Sequence, residues 1–125
     1  MDKKKILVID DEASFCDVIK EALGENFDTS SAASGKEGLK SAARLKPDVI
    51  LLDVMMPGMD GFQVLEGLKK DKDTMVIPVI MLSALDDEDT KIRCSELFHE
   101  KYVTKPVKIP ELKAAIIEVL ERRGK

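Results

Sequence analysis

Three carboxylates, one hydroxyl and one ammonium lie at the carboxyl ends of predicted strands of this chain. They belong to Asp10, Asp11, Asp53, Ser83 and Lys105. Carboxylates at 4 Å repel by about 4 kcal/mol per pair at an effective dielectric constant of about 20, so a cluster of three favours a bound divalent cation. Mg²⁺ prefers oxygen ligands and often combines one or two carboxylates with a phosphate. Such a cluster would suit phosphoryl transfer to a carboxylate, with Asp53 as nucleophile and the metal and Lys105 as charge stabilisers.

Each of these residues, taken singly, also has a simpler interpretation. Asp10 or Asp11 could cap the helix that follows, and Asp53 could cap a turn at a strand end. Ser83 could be an ordinary loop residue, and Lys105 could be solvated. The observation that favours chemistry is their joint placement after four different strands.

The elements that must position these residues follow from hydrophobic patterning, which predicts five strands alternating with five helices. Short, continuously apolar runs are typical of strands covered on both faces. The strands are predicted at 5–9, 27–32, 48–53, 79–84 and 100–104. The first helix is predicted to stop at Gly24, and the second and third to start in capping boxes at Ser34–Glu37 and Asp60–Gln63. The fourth is predicted to run from Asp86 to about Leu97, and the fifth to start at Pro110.

This alternation predicts an α/β fold: one parallel sheet with right-handed crossovers and helices on both faces. All strand-to-helix loops of such a sheet lie at one edge, where ligands bind. We therefore expect the five polar residues to converge at the carboxyl edge. No linker or shift in composition divides the chain, so a single domain over residues 1–125 is predicted.

Composition narrows the class of protein. The chain has 125 residues, 44% of them apolar, and a formal net charge of −4. The negative charge argues against nucleic acid as a direct partner. No apolar run approaches the roughly 18 residues of a membrane span, and the charged start predicts no signal peptide. Cys16 and Cys94 match no metal-binding spacing and fit reduced thiols in the cytoplasm.

The chain resembles the receiver domains of two-component response regulators, a family with the flavodoxin-like fold. The resemblance covers roughly residues 4–120. It rests on the paired acids after the first strand, on Asp53 followed by Met56-Pro57-Gly58-Met59-Asp60-Gly61, on Ser83-Ala84, and on Lys105-Pro106. It implies a single doubly wound (βα)5 domain whose five-stranded parallel sheet has the order 2-1-3-4-5.

The resemblance also implies roles for particular residues. Asp53 would accept a phosphoryl group from a phosphohistidine on a sensor histidine kinase or histidine phosphotransfer protein. Mg²⁺ would be held by three carboxylates and a backbone carbonyl, from Asp10, Asp11, Asp53 and Met55. Ser83 and Lys105 would contact the phosphoryl oxygens. Such a protein catalyses only its own phosphorylation and dephosphorylation and is not an enzyme acting on other substrates.

The resemblance further implies a switch. Ser83 would move towards the phosphoryl group, and Tyr102 would turn inward into the vacated space. The surface of the fourth helix, fifth strand and fifth helix would then change and control binding of a downstream effector. The alternative is that Tyr102 is an ordinary half-buried strand residue. The protein would be a monomer or a phosphorylation-dependent dimer.

Several positions depart from the usual family pattern. Leu97-Phe98-His99-Glu100 stands where a Gly commonly ends the fourth helix, and Val107 stands where Phe is frequent. Met55 and Leu85, which flank the phosphoryl site, are apolar, so we hypothesise slow hydrolysis of the phosphoaspartate. His99 is interpreted as an exposed turn residue and not as a phosphorelay histidine.

Three other functions compete with the switch. A Mg²⁺-dependent phosphohydrolase would usually carry a second acid two residues after the nucleophile, where this chain has Met55. A nucleotide- or flavin-binding module would need a phosphate-cradling loop where Asp10-Asp11-Glu12 lies. A phosphorylation-independent interaction module would not need the intact set of acids, hydroxyl and lysine.

Overall fold

The fold is taken from a computed structural model that describes residues 3–84, 88, 92 and 101–123. The strands are β1 (Lys4–Ile9), β2 (Phe27–Ala32), β3 (Val49–Asp53), β4 (Val79–Ala84) and β5 (Lys101–Lys105). The helices are α1 (Ala13–Leu23), α2 (Gly35–Leu45), α3 (Gly61–Lys70) and a C-terminal helix (Ile109–Arg123).

The five strands form one parallel sheet in the order β2-β1-β3-β4-β5. This order confirms the predicted α/β fold. The central strand β3 is buried at all five positions, which is why its sequence is continuously apolar before Asp53. The crossover helices of a parallel sheet cover both of its faces, so its central strands are buried on both sides.

Strand residues alternate between two apolar layers, one on each face of the sheet. The layer under α2 and α3 contains Leu7, Ile9, Ile50, Leu52, Val79 and Met81, together with helix residues such as Phe62 and Leu65. The layer under α1 and the C-terminal helix contains Ile6, Val8, Val49, Leu51, Ile80, Leu82 and Val103, together with Ile19 and Ile116. This alternation decides on which face each functional side chain emerges beyond the strand ends.

The two predicted capping boxes differ in the structure. Asp60 and Gln63 form a reciprocal box at the start of α3, with both N–H···O distances at 2.9 Å. At the start of α2, Ser34 Oγ accepts from the N–H of Glu37 at 3.2 Å, as expected. The Glu37 carboxylate, however, accepts from the N–H of Ala33 at 3.3 Å and so reaches one residue beyond the cap.

Other differences from the predictions are small. The strand expected at 48–53 begins at Val49. Asp48, just before it, still bonds to β1, donating its N–H to the Lys5 carbonyl at 2.8 Å and accepting the Lys5 N–H through its carboxylate at 2.7 Å. Strand β5 includes Lys105, one residue beyond the predicted end. Of the fourth predicted helix, Glu88 and Ile92 are described and are helical. Our expectations for residues 85, 94, 97–100 and the rest of that helix fall outside the described residues.

Candidate functional site

Asp10 and Asp53 lie at the carboxyl ends of the neighbouring strands β1 and β3. Strand alternation puts both side chains on the face covered by α1 and the C-terminal helix. Both residues are buried, with 0% and 5% of their surface exposed, whereas Asp11 is exposed. One carboxylate oxygen from each of the three lies within 4.8 Å of the other two. The structure thus brings together the three acids that the sequence predicts at this edge.

Lys105, at the end of β5, spans the two buried carboxylates. Its Nζ lies 3.1 Å from Asp10 Oδ2 and 3.2 Å from Asp53 Oδ1. The side chain is 25% exposed, so the alternative that Lys105 is simply solvated is wrong. Charge-assisted contacts at these distances compensate part of the repulsion between the acids.

Backbone N–H groups also orient the acids. Asp10 Oδ1 accepts from the N–H of Glu12 at 2.9 Å, and the Asp53 carboxylate accepts from the N–H of Met55. The N-cap of α1 is Glu12, without a side-chain capping bond. The alternative that Asp10 or Asp11 is the cap residue of this helix is therefore wrong.

The electrostatics of the site are unusual at Asp53. Burial, and next the negative charge of Asp10, raise the pKa of Asp53 to about 6 from its ordinary 3.8, although Lys105 and the Met55 N–H oppose the rise. Burial alone would lower the pKa of Lys105, but the charges of Asp53 and Asp10 outweigh it and raise that pKa above its usual value. Ionising Asp53 in the folded protein therefore costs free energy, and a further cation beside it would lower that cost.

Ser83 reaches the same edge of the sheet from β4, on the opposite face. It follows Met81 in the alternation, and Met81 packs under α2 and α3. Ser83 is 1% exposed, and its Oγ has no hydrogen-bond partner among the residues that the structure describes. A buried hydroxyl without a partner carries a free-energy cost, so Ser83 has a donor available for an incoming oxygen.

Tyr102 lies on the same face as Ser83. It pairs in register with Met81, is half-buried, and packs against the layer under α2 and α3. Its predicted movement is not tested by this one conformation and stays a prediction.

The loop after Asp53 runs past the site. Met55 is 70% exposed, and its role as a metal ligand through the backbone carbonyl stays a prediction. Gly61 closes the loop by donating its N–H to the Val54 carbonyl at 2.8 Å. A Cβ at Gly61 would overlap the Asp53 carbonyl oxygen and lie 2.8 Å from Val54 Cα. Only a glycine lets α3 start this close to the end of β3.

One contact of the site was missed by the sequence reasoning. Lys105 Nζ lies over the ring of Phe15 in α1, 4.7 Å from its centroid. The helical spacing of Phe15 and Ile19 predicts core packing, which both residues show. That spacing gives no signal of the lysine, which lies 90 positions away in the chain.

The donor set fits Mg²⁺. Three carboxylates meet at an edge that is partly open through Asp11, and the ammonium of Lys105 already occupies the position between two of them. Oxygen-only ligands of high charge suit a hard cation.

Comparison with known proteins decides the family. The family model for the response regulator receiver domain matches residues 6–117, which is most of the chain. The chain belongs to this family. The resemblance expected from the sequence motifs is confirmed, and the acids and lysine described above lie in a receiver domain of a two-component system.

Individual relatives agree with this assignment. The receiver domain is 40% identical over 120 residues to the alkaline phosphatase synthesis transcriptional regulatory protein PhoP of Bacillus subtilis, covering 95% of this chain and 49% of that protein. It is 39% identical over 122 residues to the phosphate regulon transcriptional regulatory protein PhoB of Pseudomonas aeruginosa, covering 97% and 53%. The chain thus spans about half the length of these relatives.

Solved structures give the same fold. The chemotaxis protein CheY4 of Vibrio cholerae superposes with a TM-score of 0.87 at 26% identity, covering 94% of this chain and 99% of that one. The receiver domain of the Francisella response regulator 1452 superposes with a TM-score of 0.83 at 38% identity, covering 97% and 99%. No helix among the described residues is long and apolar enough to cross a membrane.

Proposed function

We propose that this receiver domain is a phosphorylation-activated switch whose phosphoacceptor is Asp53. The donor would be a phosphohistidine on a sensor histidine kinase or histidine phosphotransfer protein. The observation that carries the proposal is the placement of Lys105 Nζ within 3.2 Å of both Asp53 and Asp10. A cation at that position pairs with the attacking carboxylate before the transfer and with the phosphoryl oxygens after it.

The step balances without an added reactant. An Asp53 carboxylate oxygen forms a bond to phosphorus, the phosphorus–nitrogen bond of the donor breaks, and its electron pair returns to the imidazole. Lys105 stabilises the charge on the phosphoryl oxygens. The buried Ser83 hydroxyl, which lacks a partner among the described residues, would then donate to one of these oxygens.

Mg²⁺ would be held by carboxylates of Asp10, Asp11 and Asp53 and by the Met55 carbonyl. When bound, the ion supplies charge neutralisation among the acids and at the phosphoryl group. On this proposal the protein promotes only its own phosphorylation and dephosphorylation. The exposed, apolar Met55 offers no hydrogen bond to a hydrolytic water, which supports a slowly hydrolysed phosphoaspartate.

The output of the switch is also proposed. Recruitment of Ser83 to the phosphoryl group would draw Tyr102 inward and change the surface formed by the predicted fourth helix, β5 and the C-terminal helix. That surface would bind a downstream effector without direct contact with nucleic acid, in keeping with the net charge of −4. We expect a cytoplasmic domain that is monomeric or dimerises on phosphorylation, which light scattering before and after phosphorylation would distinguish.

The test is the intact mass of the protein after incubation with acetyl phosphate and Mg²⁺. We expect one added phosphoryl group that is absent from Asp53→Asn and absent without metal. Asp17→Asn is the matched control, because Asp17 is an α1 carboxylate that is 76% exposed and pairs with Lys20. An adduct that persists in Asp53→Asn would refute the assignment of the phosphoacceptor. Sustained turnover of small phosphate esters would favour the phosphohydrolase instead.

A further inference from the structure

The ammonium of Lys105 is held between charge on one side and an aromatic ring on the other. Its Nζ contacts Asp10 Oδ2 at 3.1 Å and Asp53 Oδ1 at 3.2 Å. It also lies 4.7 Å from the centroid of the Phe15 ring. A cation within about 6 Å of a ring centroid is attracted by the negative face of the ring.

The Phe15 ring packs against the core on one side and lines a groove on the other. Phe15 is half-buried and packs against the apolar layer under α1 and the C-terminal helix, together with Val107 and Ile109. Its outer side lines a groove of about 440 Å³ between α1 and the segment that follows β5. The ring therefore forms an apolar wall beside the lysine side chain.

We propose that Phe15 is a positioning residue for Lys105 in phosphoryl transfer to Asp53. This inference rests on the proposed function. Before transfer, Asp53 Oδ1 is paired with the ammonium. When Asp53 becomes phosphorylated, its carboxylate oxygen is bonded to phosphorus, and the ammonium must turn from that oxygen to the phosphoryl oxygens whose charge it stabilises. The Phe15 ring supplies a contact that does not change during the reaction.

The chemistry separates an aromatic role from a packing role. Leu at position 15 fills much of the apolar volume but has no ring quadrupole, whereas Tyr keeps the ring face.

With acetyl phosphate as donor, an Asp53 oxygen bonds to phosphorus and the bond to the bridging oxygen breaks, so that acetate leaves with the electron pair. No proton moves in this step. A change in rate caused by Phe15 thus reports the position of the ammonium.

The first experiment measures phosphorylation of Asp53 against acetyl phosphate concentration at saturating Mg²⁺. We expect Phe15→Leu to lower the maximal rate by about threefold to tenfold with little change in the half-saturating concentration, and Phe15→Tyr to retain the wild-type rate. Val18→Ala is the control, because Val18 lines the same groove and is 58% exposed. Phe15→Leu should have no further effect when added to Lys105→Gln, since the contact is then already lost.

The second experiment needs neither metal nor phosphorylation. In the unphosphorylated protein, the ring current of Phe15 should shift the ε-methylene proton resonances of Lys105 upfield. The shift should vanish in Phe15→Leu and remain in Phe15→Tyr. Resonances that do not move in Phe15→Leu would overturn the inference.

The kinetic outcomes distinguish the two proposals. A wild-type protein that is phosphorylated on Asp53, with Phe15→Leu equally fast, would overturn this inference and leave the proposed function standing. So would a loss that persists in the Lys105→Gln background, because it would show a structural role. A wild-type protein that neither acetyl phosphate nor a phosphorylated histidine phosphotransfer protein modifies on Asp53 in Mg²⁺ would overturn both proposals.

Discussion

Asp53→Asn should stabilise the metal-free protein at neutral pH, although it removes the proposed phosphoacceptor. Burial and the charge of Asp10 raise the pKa of Asp53 from 3.8 to about 6. Such a rise corresponds to about 3 kcal/mol, which is the free-energy cost of ionising Asp53 in the folded protein relative to the unfolded chain. Asn has nearly the same shape and carries no charge, so we expect a gain of up to about 3 kcal/mol.

The pH dependence gives the sign of the effect. Because the folded pKa lies above the unfolded one, the folded state binds the proton more tightly between about pH 4 and pH 6. The stability of the wild-type protein relative to Asp53→Asn is therefore highest at and below pH 4. It falls as the pH rises through about 6 and is constant above pH 7.

The assay is urea unfolding in EDTA at pH 5 and at pH 7.5. We expect the advantage of Asp53→Asn to be larger at pH 7.5, whereas Asp17→Asn, at an exposed site, should change stability by less than about 0.5 kcal/mol. Mg²⁺ should stabilise the wild type by about 2.7 kcal/mol at a hundredfold excess over Kd and the Asn variant far less. An Asn variant that is no more stable than wild type at pH 7.5 in EDTA would refute this account of the site.

Three further substitutions test individual contacts, each by thermal or urea unfolding. Gly61→Ala should destabilise the protein by about 1–3 kcal/mol, because the new Cβ overlaps the Asp53 carbonyl oxygen; unchanged stability would contradict the close approach. Lys46→Gly should stabilise it by about 0.5–1 kcal/mol, because Lys46 has a φ of 48° at the end of α2; a loss would show that the lysine side chain matters more than the strain. Ser83→Ala should raise the stability of the unphosphorylated protein by about 1 kcal/mol, since Ser83 Oγ is buried without a partner among the described residues; destabilisation would reveal a hydrogen bond to that hydroxyl.

The sequence by itself determined the fold and which residues form the site. Strands buried on both faces must be apolar throughout, as β3 is, and the residues that break such runs mark the edge where loops emerge. The pattern therefore predicted that Asp10, Asp53 and Lys105 would meet. It also predicted the reciprocal cap of α3, because capping depends on residues only three positions apart.

Short-range patterns do not specify which backbone N–H group a carboxylate accepts. Glu37 was expected to complete a capping box with Ser34, but its carboxylate accepts the N–H of Ala33 instead. Asp48, the first residue of the predicted strand, lies just before β3 and accepts through its carboxylate the N–H of Lys5, a residue 43 positions earlier. In both cases the bond that the carboxylate accepts depends on backbone geometry, which the residue types do not specify.

Only the tertiary structure decided the electrostatics of the site. The pKa of Asp53 depends on its burial and on the distance to Asp10, and neither is encoded by the residues next to it in the chain. The contact of the Phe15 ring with Lys105 depends on how α1 packs beside the end of β5. Pattern gives the direction in which a side chain points, whereas Coulomb and cation–π energies depend on distances of a few ångströms that packing alone fixes.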